Sequence, residues 1–225
     1  MVMNSEKTMK ENRNLLIITT LLCLLPAFLG ILLWNRLPEE IPVHWNFEGI
    51  ADRTAGKATA VFLTPLFLAG VHHLCAFVTR NDPKHDTIPG RIKALVLWIM
   101  PLLSIFVSLL TYIAAFNAAV DVNMAVSIFL GLLLISVGLY LPECPHNYTI
   151  GIKLPWTLAD EENWKKTHAF AGPLWVCGGF VMILTSFLRI QNNTILFLVV
   201  LVIAIVPGIY SWRLYKTTAG ADKSE

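Results

Sequence analysis

Leu15–Trp34 reads LLIITTLLCLLPAFLGILLW and carries no charged residue. A bilayer core about 30 Å thick takes roughly 20 apolar residues, each rising about 1.5 Å, and this run has that length. A cleaved leader has a shorter apolar stretch ending in small residues, whereas this one ends in Trp34-Asn35-Arg36. The run is therefore predicted to remain as a membrane helix.

Five more apolar runs follow: Ala60–Thr79, Ile92–Phe116, Met124–Leu141, Phe170–Leu188 and Thr194–Trp212. The chain is 56% hydrophobic and 14% charged, well below the roughly 25% charge of a soluble domain. The expected fold class is all-α: a polytopic, multi-pass integral membrane protein with six transmembrane helices. A net charge of +2 with no basic patch argues against direct nucleic-acid binding and leaves membrane lipids as the surroundings.

Lysine and arginine are unevenly divided between the two sides. Lys7, Lys10, Arg13, Arg80, Lys84, Arg91, Lys93, Lys153, Lys165, Lys166, Arg213, Lys216 and Lys223 fall on one side; Arg36, Arg53, Lys57 and Arg189 fall on the other. The positive-inside rule then predicts both termini in the cytoplasm. The expected organisation is a cytoplasmic tail at 1–14 and a three-helix half at 15–116 with an outer loop at 35–59. A second three-helix half follows at 117–212 with a cytoplasmic loop at 142–169, and a cytoplasmic tail at 213–225.

The predicted spans hold no Asp, Glu, Lys or Arg in their interiors, Lys93 lying at an end. Proton relays and ion pumps keep such groups at membrane depth, so a charge-coupled transporter is disfavoured. Within the second span stand His72 and His73, which point about 100° apart on a helix and cannot share one ligand direction. A packed, hydrogen-bonded pair is expected. Pro26, Pro65, Pro101 and Pro207 fall inside spans, where neighbouring helices accommodate a kink. Cys23, Cys75, Cys144 and Cys177 form no Cys-x-x-Cys pair and read as small packed hydrophobes.

The outer loop, LPEEIPVHWNFEGIADRTAGK at Leu37–Lys57, is extended at its two prolines and turns at Gly49. Trp45 suits the headgroup level, His44 suits either an interfacial or a ligand-contact role, and Asp52 is placed to cap the following segment. The inner loop, GIKLPWTLADEENWKKTHAFAG at Gly151–Gly172, is entered through Gly151 and Pro155. Thr157 and Asp160 have capping-box spacing, and Asp160, Glu161 and Glu162 then lie in the first turn of a helix. Trp164 and His168 share one face of that helix, and Trp156 stands where an interface tryptophan would.

At these two loops the chain resembles the SdpI family of bacterial membrane proteins. The first half carries the LP-x-x-IPVHW pattern, Leu37–Trp45, with Gly49 and Asp52, typical of an N-terminal domain of unknown function in that family. The second half carries NYTIGIKLPWTL, Asn147–Leu158, and ENWKKTHAFAG, Glu162–Gly172. It departs where Lys153 stands for a commoner arginine and Ala169 for a frequent basic residue. The resemblance implies a non-enzymatic immunity protein that protects against a secreted, membrane-attacking peptide toxin and recruits a cytoplasmic transcriptional repressor. It implies ligand contact at Pro42, His44, Trp45, Gly49 and Asp52. It also implies partner docking at Asn147, Gly151, Lys153, Pro155, Trp156, Thr157, Trp164, His168 and Gly172.

Two other readings compete: a small-molecule or peptide exporter, and an intramembrane metal-dependent enzyme. The enzyme would draw on His44, His72, His73 or His168, but no His-Glu-x-x-His or Gly-x-Ser-x-Gly motif supports it. Neither a cofactor nor a metal is expected.

Overall fold

A computed structural model describes residues 2–116, 120–190 and 193–221. Lys223 of the C-terminal tail and residues 117–119, where the sequence places the join between the halves, lie outside the described residues. Six helices are long and apolar enough to cross a membrane: α1 (Val2–Leu32), α2 (Lys57–Arg80), α3 (Gly90–Ala115), α4 (Val122–Tyr140), α6 (Glu161–Phe187) and α7 (Asn193–Ala221). The short α5 (Pro155–Ala159) precedes α6, and two strands, β1 (Glu40–Trp45) and β2 (Ala51–Gly56), occupy the loop between α1 and α2. Leu21, Phe28, Leu63 and Phe67 are each more than half exposed. Water would not tolerate so many large apolar side chains along whole helices, and lipid does. The six expected spans are present and the chain is a multi-pass protein of the cell membrane.

The residues divide into two compact units. One holds the described residues up to Arg80 together with Lys93–Val122; the other holds Asn81–Ile92 and Asn123 onward. In the first unit α1, α2 and α3 are tied at several depths. Gly30 lets α1 close on its neighbours, since a Cβ there would stand 2.5 Å from both the Tyr112 hydroxyl and Val61 Cγ1. Ser104 donates to the Cys23 carbonyl and Tyr112 to the Pro26 carbonyl, both at 2.8 Å. Both bonds tie α3 to the α1 backbone around Pro26. Nearer the other end of α2, Thr19 bonds His72 Nε2 at 3.0 Å and Thr20 bonds His73 Nε2 at 3.2 Å. Two adjacent residues diverging by 100° thus meet two adjacent threonines; both histidines are hydrogen-bonded as expected, but only His72 is packed, His73 being exposed on the outer face of α2.

Helix alone does not account for the α1–α2 loop. Ile41 is fully buried among Leu37, Val61 and Tyr112, while the proline-rich flanks and alternating Ile41 and Val43 favour extended backbone. β1 and β2 pair antiparallel, with register shifts beyond Pro42. The turn is set by Asn46, whose side-chain oxygen accepts from the amides of Glu48 (2.9 Å) and Ile50 (3.0 Å), and by Gly49 at φ 77°. Asp52 therefore caps no helix. It lies within β2, and α2 begins instead at Lys57, whose ammonium meets Glu39 at 2.8 Å.

In the second unit α4 and α6 approach through glycines spaced seven apart on each helix. A Cβ on Gly131 would sit 2.7 Å from the Gly179 carbonyl, and one on Gly138 2.8 Å from the Gly172 carbonyl. Small residues permit backbone contact where lipid offers no hydrophobic drive between helices. The fifth span begins earlier than its apolar run, at Glu161. Asp160 is the N-cap, accepting from the Glu162 amide at 2.9 Å. Thr157 does not cap this helix, because Pro155 opens a separate single turn and Asp160 is extended (φ −134°). The capping-box expectation is corrected accordingly.

Candidate functional site

The polar segment 141–172 builds a closed module around Asn147. Its side-chain oxygen accepts from the amides of Thr149 (2.9 Å) and Ile150 (2.7 Å), and its nitrogen donates to the carbonyls of Pro145 (2.8 Å) and Ile150 (2.9 Å). One fully buried amide thereby fixes the turn that leads to Gly151. An asparagine suits this because it carries donors and an acceptor on one short stem.

Gly151 has φ +123°, and a Cβ there would stand 2.5 Å from His168 Nε2 and 2.9 Å from Trp164. The glycine is required twice, for conformation and for space. His168 donates from Nδ1 to the Trp164 carbonyl (2.8 Å) and accepts the Ile152 amide at Nε2 (2.9 Å). Accepting at Nε2 while donating at Nδ1 makes it a neutral imidazole. Its ring stacks on Trp164 at 4.1 Å, and Trp164 in turn donates to the Cys144 carbonyl at 3.0 Å. Thr157 accepts the Leu154 amide at 2.8 Å and shares its proton between the Ile152 and Leu154 carbonyls.

The second helix–loop junction, residues 81–92, completes this module. Asp82 is 5% exposed and accepts the amides of Lys84 (2.7 Å) and Tyr148 (2.9 Å). Burial alone would raise its pKa, but these amides and the Thr149 hydroxyl outweigh it and hold the carboxyl below the usual range. Lys84 donates to His146 Nδ1 at 2.6 Å, and His146 donates from Nε2 to the Leu158 carbonyl at 3.0 Å. The His146 edge meets the Trp164 ring at 5.1 Å, so the indole lies between two histidines. Arg91 and Glu143 pair at 2.5 Å. On the α7 side, Trp156 donates to the Ser211 hydroxyl (2.8 Å) and Asn163 to the Ser211 carbonyl (2.9 Å).

Of the residues singled out from sequence, Asn147, Thr157, Trp164, His168 and Gly172 are buried, and Gly151 is packed against two of them. Lys153 and Pro155 are exposed and Trp156 half-buried. The buried set shapes the module from within, and the exposed residues form its surface. Asp82, Lys84 and His146 escaped the sequence reading because they lie in flanking loops with no periodicity of their own. Asn147 was legible only through the signature, whereas the shared face of Trp164 and His168 followed from their four-residue spacing.

The α1–α2 hairpin brings His44 and Asp52 together. His44 Nδ1 donates to the carboxylate at 2.6 Å, and this hydrogen bond holds the Asp52 pKa below its ordinary value. Trp45 and Pro42 are half-buried in β1. Among the described residues no three His, Cys, Asp or Glu side chains gather as metal ligands. Cys144 is buried, which pushes its thiol up to about 11, so it is not a thiolate nucleophile at neutral pH.

The six spans, the paired strands between the first two and the cross-braced polar module define a multi-pass membrane protein built around two non-membranous features. The model of the SdpI/YfhL protein family matches residues 143–211, the braced module and the helices it joins. The domain of unknown function DUF1648 matches residues 21–69, across the hairpin. Immunity protein SdpI of Bacillus subtilis (strain 168) is 26% identical over 219 residues, covering 95% of this chain and 100% of that protein. No solved structure matches. The chain is thus similar to the SdpI/YfhL family over residues 143–211.

Proposed function

We propose that this chain is a membrane immunity protein that protects its cell from a secreted peptide toxin. The observation that carries the reading is the similarity to an immunity protein along the whole of that protein and nearly the whole of this chain. Both termini lie in the cytoplasm in this reading, by the distribution of lysine and arginine. The hairpin then faces outward, where a toxin arrives, with Pro42, His44, Trp45, Gly49 and Asp52 forming the contact region. The 141–172 module faces the cytoplasm.

Within the module, Asn147, Gly151, Thr157, Trp164, His168 and Gly172 hold a fixed shape, and Lys153, Pro155 and Trp156 meet the partner, a transcriptional repressor held at the membrane. Coupling between the two faces requires two states that toxin distinguishes. The absence of charged residues inside the spans makes packing shifts at Pro26, Pro65 and Pro101 the route within the first unit.

The test is survival. A toxin-sensitive strain lacking its own immunity protein is given this chain and exposed to the peptide toxin that the Bacillus subtilis protein resists. Growth at toxin levels that kill the empty-vector strain is expected. Equal killing, with the chain present in the membrane, overturns the reading.

A further inference from the structure

The β1–β2 ribbon has two edges, and they differ. Lys57 donates its amide to the Glu39 carbonyl at 2.9 Å, and the register runs unbroken from Glu40↔Gly56 through Ile41↔Ala55 to Pro42↔Thr54. In antiparallel pairing, bonded and non-bonded pairs alternate. Ile41 and Ala55 therefore turn their main-chain groups toward each other, while Glu40, Pro42, Thr54 and Gly56 turn theirs outward. On β1 the outward positions are Glu40, the first residue of the strand, and Pro42, which has no N–H to offer and interrupts that edge for strand addition. On β2 the outward positions keep both N–H and C=O, and no third strand flanks them among the described residues.

The β2 edge is also unobstructed. Ala51, Asp52, Arg53, Thr54 and Gly56 are exposed, and no atom lies within 4 Å of where a Gly56 Cβ would be. Gly56 stands at the junction with α2, where glycine is a favoured N-cap, and its missing side chain also leaves the strand edge clear. The ribbon's charges are mostly spoken for: Asp52 by His44, Lys57 by Glu39, and Glu40 by the Thr54 hydroxyl at 2.7 Å. Arg53 is exposed and joins no salt bridge among the described residues.

We infer that β2 is a receptor edge that takes an extended peptide as a third strand, with a carboxylate of that peptide set against Arg53. Main-chain hydrogen bonds at Thr54 and Gly56 supply affinity with little demand on sequence, and Arg53 sets register and polarity. The inference rests on the immunity reading: the peptide strand is part of the toxin.

The experiment uses the full chain in lipid nanodiscs and the same toxin that the Bacillus subtilis protein resists. Binding is measured together with amide hydrogen exchange. Toxin binding with slowed exchange at Thr54 and Gly56, and no slowing at Glu40, is the expected result. Thr54→Pro, which deletes one outward donor, weakens binding about tenfold, whereas Thr54→Val leaves it unchanged. Arg53→Gln, at a solvated position that folding does not use, weakens it about three- to fivefold. Binding with unchanged exchange at Thr54 and Gly56 overturns the edge and leaves immunity standing. So does slow exchange without toxin accompanied by β2–β2 cross-links, which would assign the edge to a second copy. Failure of the wild-type chain to bind toxin removes the immunity reading and this inference together.

Discussion

Gly151 stands at φ +123° directly against the ring nitrogen of His168, with room for hydrogen and for nothing larger. The same nitrogen accepts the amide of Ile152, the next residue along. The loop and the start of α6 are thus locked by one missing side chain and one neutral imidazole.

Gly151→Ala adds a methyl group 2.5 Å from that nitrogen at a backbone angle alanine rarely adopts. The strain is of order 1–3 kcal/mol. A fall of several degrees in the melting temperature of the detergent-solubilised protein is expected, measured by intrinsic tryptophan fluorescence, to which Trp164 contributes.

His168→Ala strands the part-buried Ile152 amide and removes the ring stacked on Trp164. An unsatisfied buried donor costs about 1–3 kcal/mol. His168→Gln, which can still offer an acceptor, should lose less. Comparable loss in both variants would place the contribution in the ring stack rather than in the hydrogen bond.

Asp82 links stability to pH. Its pKa in the fold lies below the ordinary value, so the unfolded chain takes up its proton first as pH falls. Its stabilisation is complete above the unfolded value near 3.9 and is lost as pH drops through the folded one. Exchange of the Tyr148 amide should therefore accelerate, relative to neighbouring amides, below about pH 4. Asp82→Asn should exchange fast at neutral pH and lose that dependence.

Gly172→Val and Gly179→Val should separate α4 from α6, because even a Cβ at Gly172 meets the Gly138 carbonyl at 2.7 Å and Pro142 at 2.6 Å. Loss of folded protein from the membrane fraction is expected for both. Gly208→Ala is the control, since nothing lies within 4 Å of its Cβ position. It should be neutral, or stabilising by no more than about 1 kcal/mol from helix propensity.

A double-mutant cycle over Thr19→Val and His72→Ala should return a coupling of about 0.6 kcal/mol, the usual size for a hydrogen bond between membrane helices. A value near zero would mean that the 3.0 Å contact contributes position and no net energy.

The six spans were legible because an uninterrupted apolar run of bilayer length has few other interpretations. The histidine pair was legible because helical geometry alone separates adjacent residues. The prolines and Gly49 predict an extended loop with a turn, but the strand pairing depends on Ile41 reaching Val61 and Tyr112, contacts that no local pattern encodes. The helix start at Glu161 was misplaced because Thr157 and Asp160 each hydrogen-bond locally, and which of them caps α6 depends on the extended backbone at Asp160. The braces from Asp82 to Tyr148 and from Lys84 to His146 cross more than sixty residues of chain, a separation at which spacing carries no signal. The glycine pairs of α4 and α6 did carry one, the sevenfold interval shared by Gly131–Gly138 and Gly172–Gly179.

The central claim is that the hairpin faces outward and that its presence defends the membrane. Its most direct test is the membrane potential of sensitive cells as toxin is added, with wild-type, His44→Ala and Trp45→Ala chains expressed to equal levels in the membrane. The account predicts that the potential is preserved by the wild-type chain and collapses with the two hairpin variants. Collapse with the wild-type chain, or full protection by both variants, would contradict it.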